Sequence, residues 1–96
     1  MSNPSVTVIS LVVQNPLTKL EALELIARAS GCAIVGAGTA SAAVQLGPEA
    51  RAHVEVPKFG EDVQLAIDVT APDERWALTL LEQLRGLGLD VSVLGS

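Results

Sequence analysis

The chain is poor in aromatic residues. It contains one Trp, one Phe and no Tyr among 96 residues, although apolar residues make up 49% of it. The core must therefore be built from Val, Leu, Ile and Ala, which bury less apolar surface per side chain than large rings do. Because a small aliphatic core gains from further burial between subunits, we expect a homo-oligomer.

Cysteine and basic residues are also scarce. Cys32 is the only cysteine, which excludes an internal disulfide and a cysteine-based zinc cluster and fits a reduced, cytoplasmic setting. Lys and Arg together number 6 against 11 Asp and Glu, for a formal net charge of −5. Nucleic acids and anionic membrane surfaces are bound largely through Lys and Arg, so we expect neither as a partner.

Long apolar runs are missing as well. The run Val6 to Val13 covers eight residues, which is too short to cross a bilayer, and it lacks the basic start of a signal peptide. We therefore expect no membrane insertion. The run is apolar at both parities, which predicts a strand buried on both faces. Since helices cover only one sheet face in a two-layer fold, the other face would meet a copy of itself.

The remaining pattern predicts two successive β-α-β units in a single domain, residues 1–96. Strand patterns at 6–13, 32–35, 63–69 and 90–94 alternate with two amphipathic helices, which follow Asn15 and Thr70 and end near Gly31 and Gly86. Thr18 and Glu21 have the spacing of a capping box for the first helix. We predict an α+β fold, a ferredoxin-like βαββαβ sandwich with an antiparallel sheet and two helices on one face. Residues at about 39–57 would form a long loop between the two units.

A short glycine segment offers one candidate binding site. Gly36-Ala37-Gly38 follows a strand, and glycine allows backbone N–H groups to approach a phosphate closely. The full G-x-G-x-x-G pattern is absent, because position 41 is Ser. Two interpretations remain: a flexible exit from the strand, or a backbone contact to a ligand.

Few residues could carry out catalysis. His53 and Glu55 share one face of a strand pattern and could act as base and orienting group or as metal ligands, or they could be exposed strand residues. Cys32 is expected to be buried, and Trp76 could either pack against the sheet or stack on a ligand. Without a Ser-His-Asp spacing or paired carboxylates in an apolar setting, we expect no enzyme and assign no metal.

Four short segments occur in an order that resembles another group of proteins. They are Pro16-Leu17-Thr18-Lys19-Leu20-Glu21, Gly36-Ala37-Gly38, Pro57-Lys58 and Ala71-Pro72-Asp73-Glu74. In order and approximate spacing, over positions 6 to 85, the chain resembles the P-II-type signalling proteins, which are trimeric ferredoxin-like sensors of nitrogen and carbon status.

The resemblance implies a homotrimer that binds a small ligand between subunits and docks on a target protein. A nucleotide or a small anion would lie against Gly36, Gly38 and Thr39, with Arg85 as the one cation where the family carries several. No cofactor is assigned. The 39–57 segment would dock on a membrane transporter or an enzyme, and the residues that we expect to contact this partner are Arg51, His53, Glu55 and Lys58.

A second resemblance supports an alternative function. Ser10-Leu11-Val12-Val13-Gln14 and Gly31-Cys32 are similar to segments of small ferredoxin-like chaperones that bind the signal peptides of periplasmic reductases. In this alternative, the chain is an interaction domain that adds a partner's peptide to an exposed strand edge.

Overall fold

The structure is a computed structural model that describes residues 6–39, 42–55 and 65–94. It is an α+β fold with a six-stranded antiparallel sheet and two helices, which is consistent with a ferredoxin-like fold in general. The elements are β1 (Thr7–Val13), α1 (Lys19–Ser30), β2 (Ile34–Val35), β3 (Ala43–Gly47), β4 (Ala50–Glu55), β5 (Leu65–Ala71), α2 (Arg75–Gly86) and β6 (Val91–Val93). The strand order is β2-β3-β4-β5-β1-β6, so β2 and β6 are the two edges.

Helix α1 begins at Lys19, after the predicted capping box and three residues later than a start at Asn15 and Pro16 would give, and it ends at the predicted Gly31. The Thr18 hydroxyl accepts a hydrogen bond from the Glu21 N–H at 3.1 Å, and the Thr18 N–H donates to the Glu21 carboxylate at 2.9 Å. The hydrogen bond from the backbone N–H of Thr18 has the largest effect on Glu21 and lowers its pKa from the ordinary value. The hydrogen bond with the Thr18 hydroxyl lowers it further. Gly31 caps the other end in the left-handed conformation, where its N–H bonds to the carbonyl of Ala27. The predicted capping box and the predicted stop are both confirmed.

The alternation predicted for β5 is also confirmed. Its odd-numbered residues from Leu65 to Ala71 are buried against the helices, while Ala66, Asp68 and Thr70 are half-buried on the opposite side. Helices α1 and α2 contact each other and pack on the core side of the sheet. Neither of these two helices covers the opposite side of the sheet.

We call this opposite side the open face. Cross-strand register and the period of two along each strand place its residues. They are Val8, Ser10 and Val12 of β1, Ala66, Asp68 and Thr70 of β5, Arg51, His53 and Glu55 of β4, Ala43 and Gln45 of β3, Val35 of β2, and Ser92 of β6.

The long loop predicted at about 39–57 is wrong for most of its length. Residues 43–47 and 50–55 form β3 and β4, an antiparallel hairpin that turns at Pro48 and Glu49. Ala50, Ala52 and Val54 are buried in the core, so the segment alternates as a strand should. Alanine has low strand propensity, and this hid the pattern.

The second helix starts later than the sequence predicts. Helix α2 begins at Arg75, and its N-cap Glu74 makes no side-chain capping bond. Instead the Asp73 carboxylate accepts a hydrogen bond from the Arg75 N–H at 3.0 Å. Neither α1 nor α2, the helices of the described residues, has the length and the apolar composition that a membrane-spanning helix needs.

Candidate functional site

The predicted glycine site forms a tight turn at the β2 edge. Both the N–H and the hydroxyl of Thr39 bond to the carbonyl of Gly36, at 3.1 Å and 2.6 Å. Gly36 and Gly38 have φ angles of 67° and 85°, a region that residues with a Cβ rarely adopt. The turn itself therefore requires both glycines. All three residues are exposed.

Arg85 lies at the other edge of the sheet. Its Nε donates a hydrogen bond to the carbonyl of Val91 at 2.9 Å, which ties the end of α2 to β6. Since β2 and β6 are the outermost of six strands, about 24 Å separates the two edges. Within one chain, Arg85 and the glycine turn do not meet, and a ligand touching both would have to lie between subunits.

Three of the four predicted partner-binding residues come together on the open face. Arg51, His53 and Glu55 alternate along β4 with buried residues, so their side chains share this face. Arg51 is fixed by a hydrogen bond from its Nε to Oε1 of Gln45 at 2.8 Å. The fourth residue, Lys58, lies outside the described residues.

Sequence reasoning missed two further residues of this surface. Asp68 of β5 is the register partner of His53, and the Ser10 hydroxyl donates to Oδ1 of Asp68 at 2.6 Å. A row of hydroxyl, carboxylate and imidazole thus crosses three neighbouring strands. The only available signal was the polar parity of β5, because Ser10 and His53 are distant from Asp68 in sequence.

The order of this row decides its chemistry. Activation of a serine nucleophile needs an imidazole next to the hydroxyl, whereas here the carboxylate stands between them. Ser10 gives its hydrogen bond to Asp68, which holds the carboxylate in place. No group of three potential metal-ligating side chains occurs within the described ranges. The row thus places a hydrogen-bonded carboxylate and an imidazole on neighbouring strands of the open face.

A separate pocket of about 420 Å³ opens on the helix side of the sheet, where α1 ends and α2 begins. We call it the Trp76 pocket. Its lining comes from both helices and from the β2–β3 region, and comprises Ser30, Cys32, Leu46, Asp73, Arg75, Trp76, Thr79, Leu80 and Gln83.

Trp76 is held in this pocket by its contact with Gly47. A Cβ built on Gly47 would lie 2.7 Å from Cη2 of Trp76, so the indole rests directly on the glycine backbone. The ring nevertheless stays 37% exposed. Both predicted roles of Trp76 are thus compatible with its position, since it packs on the sheet and also lines a cavity.

Cys32 is more accessible than the sequence suggests. It is half-buried, and its thiol lies 3.6 Å from the carbonyl of Ser30 and 3.7 Å from that of Leu46. These two carbonyls point the thiol toward the backbone at one side of the Trp76 pocket.

The charged groups at the pocket rim neutralise each other. A guanidinium nitrogen of Arg75 lies 3.2 Å from a carboxylate oxygen of Asp73. The side-chain hydrogen bond from Arg75, and after it the backbone N–H bond, lower the pKa of Asp73 from its ordinary value. The same side-chain bond and the charge of Asp73 raise the pKa of Arg75. The rim therefore carries no net charge from this pair.

Comparison of the chain with protein-family models, with curated proteins and with solved structures finds no match.

Proposed function

We propose that the chain is a non-enzymatic regulatory module resembling the P-II-type signalling proteins, and that it works as a homotrimer assembled through the open face. The observation that carries the proposal is the one-sided packing of the helices, which leaves Val8 61% exposed beside an organised polar row. When a partner covers a sheet face with apolar residues, the burial of those residues lowers the free energy of the complex.

The arrangement of four strands supports the ferredoxin-like part of this proposal. Strands β6-β1-β5-β4 and helices α1 and α2 have the order and the antiparallel pairing that a βαββαβ unit requires. Strands β2 and β3 then form an extension beyond β4. In this view β2 and β3 widen the open face, whereas a loop would reach away from it.

The polar residues of the open face suit contact between copies. Arg51 and Glu55 have opposite charges and lie four residues apart on β4, about 13 Å along the strand. A neighbouring subunit that crosses this strand can pair one with the other, and such pairs set orientation more than they add affinity. The fixed positions of Arg51 and Asp68 reduce the entropy lost when they pair.

A trimer also gives the predicted ligand residues a way to meet. The glycine turn at Gly36 to Thr39 and the side chain of Arg85 lie at opposite edges of one subunit, and a ring of subunits brings unlike edges together. A nucleotide or a small anion would then bind in a cleft between subunits. Its occupancy would regulate a target enzyme or transporter.

The edge strands of the sheet are short, which limits the binding of a peptide along them. The edge strands β2 and β6 are two and three residues long, so an added strand could make few backbone hydrogen bonds. This observation favours recognition through the open face over recognition through an edge.

Two substitutions, each of which introduces a negative charge at an exposed apolar position, test the proposed assembly. Val8 on the open face and Leu20 on α1 are 61% and 60% exposed, so either can become Glu without disturbing a core. We expect Val8→Glu to raise the concentration needed for assembly at least tenfold and Leu20→Glu to leave it unchanged, as measured by light scattering. An assembly concentration for Val8→Glu equal to that of the unaltered protein would contradict the proposal.

A further inference from the structure

We propose that the Trp76 pocket binds a small, uncharged, bicyclic aromatic molecule that carries an amide-like polar group. The pocket lies on the helix side of the sheet, so it stays open when the open face is covered. The proposal therefore stands apart from the assembly proposed above and from the predicted ligand cleft at Gly36, Gly38 and Arg85.

The size and the apolar side of the pocket fit an aromatic ring system. Its volume of about 420 Å³ falls in the range of about 300–1,000 Å³ that is typical of small-molecule sites. Trp76, Leu46 and Leu80 supply the apolar lining. An indole prefers offset or edge-on contact with another ring, and such pairs add stability beyond area burial.

The polar side of the pocket consists of one stripe along α2. Arg75, Thr79 and Gln83 follow each other at intervals of four residues, which places them on one helix face above Trp76 and Leu80. The hydroxyl of Thr79 and the amide of Gln83 can each donate and accept hydrogen bonds. An amide on the ligand can therefore be satisfied from this side in both directions.

The charges around the pocket favour an uncharged ligand. Arg75 and Asp73 form an ion pair at the rim, so each offsets the attraction that the other would exert on a charged ligand. A cation gains as little from this pair, because the guanidinium of Arg75 offsets the carboxylate of Asp73. The net charge of −5 on the whole chain disfavours anions further.

Contacts with neighbouring backbone fix two of the residues that line the pocket, Trp76 and Cys32. The Trp76 ring rests on Gly47, where any larger residue would push it, and the backbone around Cys32 is bonded through Ser30. A lining held in this way loses little entropy when a ligand binds, which favours affinity for a small molecule.

Three probes with the same ring test the proposed ligand class: 1-naphthamide, 1-naphthoate and 1-naphthylmethylammonium. Trp76 is the only tryptophan, so its single indole N–H cross-peak in a ¹H–¹⁵N spectrum reports on the pocket directly. We expect 1-naphthamide to shift this peak with a dissociation constant between about 10 µM and 1 mM. Each charged probe should bind at least about fivefold more weakly, because its charge loses water against the apolar lining without gaining an unpaired opposite charge.

Variants on α2 connect binding to the polar stripe. Thr79→Val and Gln83→Ala each remove hydrogen-bonding groups from exposed positions, and each should weaken 1-naphthamide binding about three- to tenfold. Glu82→Gln is the matched control, because Glu82 is exposed on the same helix and does not line the pocket.

A second reporter comes from Cys32, the only thiol. Bound 1-naphthamide should slow the alkylation of Cys32 by a maleimide, and Glu82→Gln should behave in the same way. An indole cross-peak that does not move with any probe at 5 mM would overturn the proposal. So would a charged probe that binds as tightly as 1-naphthamide, or unchanged affinity in both Thr79→Val and Gln83→Ala.

Discussion

At the scale of single residues, the contact between Gly47 and Trp76 couples the end of β3 to the first turn of α2. The indole occupies the space that a Cβ on residue 47 would need. A residue that looks like an ordinary turn glycine in the sequence therefore has a packing role. Sequence reasoning could not find it, because Trp76 lies 29 positions away along the chain.

The variant Gly47→Ala tests this contact. The new methyl group must displace the indole, which should lower the free energy of unfolding by about 1–3 kcal/mol and shift the Trp76 fluorescence. The measurement is urea unfolding followed by that fluorescence. Gly86→Ala is the control, since a Cβ at that site would meet no atom within 4 Å other than those of its chain neighbours and of the helix's own backbone, and its stability should be unchanged or slightly higher. Equal stability of both variants would refute the coupling.

At the scale of elements, the start of α1 is the part that local sequence determines best. Thr18 and Glu21 satisfy each other's backbone N–H groups, and all the information lies within four residues. The strand β5 was equally predictable from the sequence, because Leu65, Ile67 and Val69 alternate with more polar residues. Such elements are predictable because their signals are short and strong.

Glu21 gives α1 a pH-dependent contribution to stability. Hydrogen bonds from Thr18 lower its folded-state pKa below the ordinary value of 4.5, so the carboxylate stabilises the fold above that pH. The contribution is lost as the pH falls through the lowered pKa. Glu21→Ala should therefore destabilise the protein at pH 7 and have a smaller effect at pH 3.

Thermal unfolding at the two pH values checks this expectation, with Glu24→Ala on the exposed side of α1 as the control for loss of a helix carboxylate. A destabilisation by Glu21→Ala that is as large at pH 3 as at pH 7 would show that its charge plays no part in the cap.

The hairpin of β3 and β4 shows where local signals fail. Its buried positions are mainly alanines, including Ala50 and Ala52, which fit under α1 because they are small. Small size is favoured by the packing of a helix on the sheet, and that packing is not visible in the segment itself. The Trp76 pocket was hidden for the same reason, since three separate parts of the chain line it.

At the scale of the whole molecule, the helices and the open face divide the protein into two functional sides. The helix side holds the core and the Trp76 pocket, and the open face holds Val8 and the row from Ser10 through Asp68 to His53. The doubly apolar β1 already indicated this division in the sequence. The composition of the second side depended on strand register, which brings Asp68 beside His53.

The two sides make their proposed functions separable. Val8→Glu should disrupt assembly and leave the binding of 1-naphthamide intact, because the substitution and the pocket lie on opposite faces of the sheet. Thr79→Val should have the reverse effect.

The mass of the unaltered protein in solution tests the central claim most directly. A chain of 9.9 kDa that assembles as a trimer has a mass of about 30 kDa. Sedimentation equilibrium between 1 and 100 µM should give this mass, with dissociation only toward the lower concentrations. A mass of 9.9 kDa throughout that range would contradict the account of the open face as an assembly surface.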